Sequence, residues 1–170
     1  MSAEKKKMMK FVLKSGDGVE VIVEEDAAFQ SNLLKKMVMD LGIEEPDSPM
    51  LAEALPITCL NGWTLQKVVD WCNSNRGQIF NPKGVYDDPR ITLSTDDLKY
   101  LDVTNAQLKD LLLAANYLDI PGLFEITTQK FANFADGKSV QQIREIYGLV
   151  NDFTREEEEE LRKKHEWVEA

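Results

Sequence analysis

Phe11-Val12-Leu13-Lys14-Ser15-Gly16-Asp17-Gly18-Val19-Glu20-Val21-Ile22-Val23 places two β-rich runs around a four-residue break. Glycine and aspartate accept the positive φ that a tight turn needs, so this stretch predicts an antiparallel hairpin. No helix comes directly after it to cradle a phosphate, so Gly16-Asp17-Gly18 is a turn rather than a nucleotide loop. The two strands make the chain α/β, because most of the remaining residues read as helix.

Leu33, Leu34, Met37, Val38 and Leu41 recur at helical spacing and predict a helix over residues 31–41, ended by Gly42. Residues 43–56 are acidic, are broken by Pro46 and Pro49, and read as loop. The apolar run Ile57-Thr58-Cys59-Leu60 reads as a short buried third strand. A helix over residues 63–72 turns Leu65, Val68, Val69 and Cys72 inward. Residues 73–95 hold Gly77, Pro82, Gly84 and Pro89 with no sustained period. A connection of that length in a compact domain is functional or mobile, and a mobile loop is expected here.

From Asp96 on, the chain reads as nearly all helix. Thr104-Asn105-Ala106-Gln107, Ser139-Val140-Gln141-Gln142 and Thr154-Arg155-Glu156-Glu157 each have the spacing of a capping box. Asp119 is expected to cap the helix that has Pro121 in its first turn and runs to about Phe134. Asp136-Gly137 then breaks the chain. The expectation is one α/β unit over residues 1–134 and a helical extension over 135–170, with the boundary near 134–139.

With 170 residues, 43% of them apolar, the chain can bury a real core. A formal net charge of −10 and a pI near 4.7 argue against nucleic acid and anionic membranes as partners. Lys5-Lys6-Lys7 with Lys10 is a short basic cluster and reads as a solvated leader. Cys59 and Cys72 form no CxxC pair and read as free core thiols. Lys14 interrupts the apolar run at Phe11-Val12-Leu13 too early for a signal peptide, and the longest apolar run, Leu111 to Ala115, cannot span a bilayer. The expected location is cytoplasm and nucleus. The single histidine, His165, lies among Lys163, Lys164 and Glu166 and reads as solvated. Nucleophile-elbow, P-loop, dinucleotide and zinc-protease motifs are all missing, so no catalytic residue, metal or cofactor is nominated and the chain is expected not to be an enzyme.

What remains is surface. Leu108, Leu111, Leu112, Ala115 and Leu118 form one helical stripe, which should face the core. Leu113 and Tyr117 lie one turn apart on another face beside Asn116. That second face is covered either by the chain's other helices or by another protein. Leu123, Phe124, Ile126, Phe131 and Phe134, with Val140, Ile143, Ile146, Tyr147 and Leu149, exceed what two short helices can hide in each other, and a helix-in-groove ligand would absorb the excess. Between Thr154 and Glu166 only Leu161 is a large apolar residue. Trp167 beyond it either folds back on Phe153 or Leu161 or anchors an interface, where tryptophan is over-represented.

Leu112-Leu113-Ala114-Ala115-Asn116-Tyr117-Leu118-Asp119-Ile120, followed by Gly122-Leu123, resembles the signature of the S-phase-kinase-associated (Skp) adaptors of SCF ubiquitin ligases. Asn151-Asp152-Phe153-Thr154 with the glutamate run and Glu166-Trp167 is similar to that family's tail, and Lys67-Val68-Val69-Asp70-Trp71-Cys72 resembles its middle helix. The resemblance implies a BTB/POZ-type α/β domain, a small three-stranded sheet with helices, followed by a two-helix C-terminal extension. It implies that Leu113, Asn116 and Tyr117 contact the N-terminal domain of a cullin. It implies that Leu123, Ile126, Phe131, Ile143, Ile146, Tyr147, Leu149 and Trp167 bind F-box proteins, in a groove that also uses residues 120–134. The alternatives are an elongin-C-like adaptor for another cullin ligase and a self-associating BTB structural protein; weak homodimerisation of the free chain is also expected. Three departures from the family pattern stand out. Arg155 replaces a frequent proline, the usual Trp-Asp pair is altered around Thr95-Asp96, and Asp102-Val103-Thr104 puts a negative charge where the family often carries a positive one, close to the implied cullin face.

Overall fold

Alternation builds the first strands. Phe11 and Leu13 on β1 (Lys10–Ser15) and Val21 and Val23 on β2 (Glu20–Glu24) are buried, while Lys10, Lys14 and Glu20 lie on the other face. In this computed structural model, which describes residues 8–78 and 92–165, the two strands are antiparallel with Leu13 opposite Val21. The cross-strand pairs Lys10–Glu24 at 3.3 Å and Lys14–Glu20 at 3.4 Å suit that register, although exposed pairs of this kind add little stability. The turn between the strands is tied down on both sides. The Asp17 carboxylate accepts from the Ser15 hydroxyl and, at 3.0 Å, from the Gly62 N–H, and these bonds hold it below the usual carboxylate range. Gly16 donates its N–H to the Leu60 carbonyl at 2.8 Å. A Cβ at Gly16 would lie 2.2 Å from the Thr58 carbonyl oxygen, so no other residue fits this close approach.

The third strand is β3 (Leu55–Ile57), parallel to β1, giving the order β2-β1-β3. Parallel neighbours need a crossover, and it carries α1 (Glu25–Ala28), α2 (Asn32–Asp40) and a 3₁₀ turn at Pro49–Ala52. The sequence placed this strand at residues 57–60 and made Cys59 a core thiol; both are corrected. Leu55 and Ile57 supply the inward alternation, with Pro56 exposed between them. The chain then turns, with the Leu60 N–H on the Ile57 carbonyl, and leaves Cys59 exposed. Leu41 is likewise exposed rather than inward, because Gly42 reverses the chain and returns Ile43 to the core in its place.

Asn61 caps α3 (Gly62–Ser74) by accepting the Thr64 N–H at 2.9 Å. Leu65, Val68, Val69 and Cys72 are buried along it, as their spacing requires, and burial pushes the Cys72 thiol up to about 12. The expected mobile loop lies largely outside the described residues, which resume at Thr92. Ser94 and Asp97 form a capping box on α4 (Thr95–Tyr100) that the sequence reading missed, and Thr104 and Gln107 form the expected one on α5 (Asn105–Tyr117). Leu108, Leu111, Ala114, Ala115 and Leu118 on or just after α5 are buried, and α5 packs on α3.

Asp119 does not cap the next helix. Its φ is +51°, in the left-handed region, and it closes α5 instead. Its N–H bonds to the Asn116 carbonyl at 3.2 Å, and the Ile120 N–H bonds to Ala115 at 2.9 Å, a paired helix-ending motif that usually holds glycine at this position. The carbonyls exposed by this ending accept the first amides of α2, with Asn32 N–H on Asp119 at 3.0 Å and Leu33 N–H on Leu118 at 3.3 Å, while Ser31 donates its hydroxyl to Leu118. Glycine removes the steric cost of the left-handed conformation. Asp119→Gly is therefore expected to raise the free energy of unfolding by about 0.5–1 kcal/mol in chemical denaturation; a loss of stability would mean that the carboxylate makes a needed contact.

The chain divides into two compact units, one ending at Asn133 and one beginning at Phe134. The helix α6 (Pro121–Ala135) crosses this boundary, and Gly122, Leu123, Ile126 and Thr127 in its first half are buried. In the second unit, α7 (Val140–Tyr147) opens on the Ser139–Gln142 capping box and ends at left-handed Gly148. The last helix, α8 (Arg155–Lys164), opens on the Thr154–Glu157 box. Among the described residues of this unit no side chain is fully buried.

Candidate functional site

Two exposed apolar surfaces answer the question of where partners could bind. The first is on α5. Its core stripe leaves Leu113 and Tyr117 pointing outward one turn apart, 54% and 48% exposed, with Asn116 exposed between them. Of the two coverings open to this face, the described part of the chain supplies none. The structure adds a neighbour that the sequence could not: the exposed Cys59, on the turn after β3, is placed beside Tyr117 and raises the phenol's pKa. Asp102 is exposed on the segment leading into α5.

The second surface belongs to the unit that begins at Phe134. Val140, Leu149, Val150, Phe153 and Leu161 are all exposed, Val150 by 85%. Ile143, Ile146 and Tyr147 on α7 are half-buried. Val150 and Phe153 were absent from the nominated set, because a non-helical connection offers no period by which to assign a face. Trp167 lies outside the described residues.

Two nominated residues need correction. Leu123 has no exposed surface and Ile126 only 8%, so both are core residues of the first unit rather than surface contacts. Phe124 is the exposed apolar residue at that place, and Phe131 further along α6 is half-buried. Helical spacing identifies the stripes on α6 but not which one the rest of the domain covers.

A polar cluster shapes the second surface. Oε1 of Glu158 accepts from Nη1 of Arg144 and from Nδ2 of Asn151, each at 2.9 Å. Both bonds, the one from Arg144 foremost, hold the Glu158 carboxyl below its usual range. Among the described residues no group of three or more His, Cys, Asp or Glu side chains could hold a metal ion, and no helix is long and apolar enough to cross a membrane.

Residues 9–77 match the Skp1 family, tetramerisation domain, and residues 121–168 match the Skp1 family, dimerisation domain. The chain is 40% identical over 166 residues to the E3 ubiquitin ligase complex SCF subunit sconC of Arthroderma otae, covering 94% of each chain. It is 37% identical over 160 residues to the protein of that name from Aspergillus terreus, covering 93% of this chain and 95% of the relative. For Neosartorya fischeri the identity is 38% over 164 residues, with 95% and 99% covered.

Proposed function

Because this chain belongs to the Skp1 family, with a BTB/POZ-type α/β domain, we propose that it is the adaptor subunit of an SCF-type ubiquitin ligase and bridges F-box substrate receptors to a cullin. The observation that carries this is the presence of two exposed apolar surfaces made of different residues. Leu113, Asn116 and Tyr117 on α5 are assigned to the cullin N-terminal domain. The surface of the second unit, with Leu149, Val150 and Phe153, is assigned to the F-box, joined by Trp167 on sequence grounds.

An adaptor of this kind makes and breaks no bond. It holds a receptor, and whatever the receptor carries, near the ubiquitin-charged enzyme, and effective concentration does the rest. The elongin-C-like alternative accounts less well for α7 and α8, which continue the chain past α6. Weak self-association of the free chain fits the same exposed apolar side chains, which F-box binding would then compete away; light scattering with and without excess F-box protein separates the two.

The test is a titration with a purified F-box protein. Trp167→Ala is expected to weaken binding by about 2 kcal/mol, as truncation of an aromatic hot spot does. Unchanged affinity would remove Trp167 from the site, and no binding by the unmodified chain would overturn the assignment of the second surface.

A further inference from the structure

The most exposed large apolar side chain among the described residues of the second unit, Val150 at 85%, does not lie on a helix. Leu149, Val150 and Phe153 occupy the connection between α7 and α8; the Leu149 N–H closes α7 on the Arg144 carbonyl at 2.8 Å, and beyond it no helical hydrogen-bond ladder fixes Val150 and Phe153. Hydrophobic docking does not fix α8 either, since it has no buried residue and its one large apolar side chain, Leu161, is exposed.

The polar cluster is placed to do this. Arg144 on α7 precedes the connection, Glu158 on α8 follows it, and Asn151 is in its middle. One carboxylate oxygen therefore gathers all three segments. Asn151 uses both ends of its amide: Nδ2 donates to Glu158 at 2.9 Å, and Oδ1 accepts the Phe153 N–H at 3.3 Å. The Arg144 side chain is only 20% exposed, so the pair is partly withdrawn from water, where a charge-assisted hydrogen bond is stronger than on an open surface. We propose that Arg144, Asn151 and Glu158 form a clasp that pre-orders the connection carrying Leu149, Val150 and Phe153, and that this ordering raises the affinity of the second surface for its receptor. This rests on the F-box assignment above. A loop held in its bound conformation loses less freedom on association, so the clasp acts on affinity without touching the partner.

Three variants of the full-length chain, Arg144→Ala, Glu158→Ala and the two together, test this against a purified F-box protein. Each single change is expected to raise Kd by about fivefold, and the double change by little more, because residues that act through one shared interaction are not additive. Reversing the pair, Arg144→Glu with Glu158→Arg, is expected to restore much of the affinity. Binding to a cullin N-terminal domain should not change. Additive losses with no recovery in the reversed pair would show that these side chains touch the partner directly and would overturn the clasp. Amide hydrogen exchange over residues 149–158 in the free chain provides a test that needs no partner. Glu158→Ala should speed it, and unchanged exchange would overturn the clasp whatever the F-box result. Failure of the unmodified chain to bind would count against the F-box assignment, while faster exchange in Glu158→Ala would leave the ordering role standing.

Discussion

Leu111→Ala lowers the free energy of unfolding by about 3 kcal/mol, and Leu113→Ala, two residues further along the same helix, changes it by no more than about 0.5 kcal/mol. The two leucines have the same chemistry and the same place in the chain's propensities; they differ in which way α5 turns them. Leu111 is fully buried beside Leu108, Ala114 and Ala115, so truncation removes its transfer free energy and leaves a cavity. Leu113 is more than half exposed, and its truncation leaves no cavity. Urea denaturation of both variants measures the difference. An equal loss at the two positions would mean that Leu113 is covered in solution, and α5 would then have no face to offer a cullin.

Changing Asn116 and Tyr117 together to alanine is expected to weaken binding to a cullin N-terminal domain by about 3 kcal/mol, on the order of a hundredfold, and to leave F-box affinity and stability where they were. Tyrosine is among the residues that dominate interface energetics, and Tyr117 presents a ring that is 48% exposed. Isothermal titration of the variant against each partner separately is the measurement. Loss of both affinities in a folded protein would mean that the two surfaces are not independent.

The parts of this fold that were legible in the sequence are those decided by local chemistry. The hairpin comes from strict alternation around Ser15-Gly16-Asp17-Gly18, and the capping boxes at Thr104, Ser139 and Thr154 need only residues three positions apart. The misreadings arose where distant parts of the chain decide. Ile57-Thr58-Cys59-Leu60 is as apolar as a strand, yet the close approach of Gly16 to Thr58 requires a turn there. Asp119 before Pro121 has the form of a helix cap, but ending α5 and meeting the first amides of α2 take it into the left-handed region.

The proposed binding surfaces divide in the same way. On α5 the core stripe is regular enough that Leu113 and Tyr117 must point elsewhere, and they do. On α6 more than one face is apolar, and only packing shows that Leu123 and Ile126 go inward while Phe124 stays out. Val150 and Phe153 carry no periodic signal at all. Their exposure becomes apparent only once Gly148 ends α7 and the Arg144–Glu158 pair closes the connection around them.

The central claim is that one chain holds two partners at once through separate surfaces. Size-exclusion chromatography of the chain mixed with an F-box protein and a cullin N-terminal domain, each also run pairwise, tests it most directly. A single peak containing all three, with the F-box protein and the cullin fragment failing to associate in the chain's absence, is the expected result. Displacement of one partner by the other, or no association with either, would contradict it.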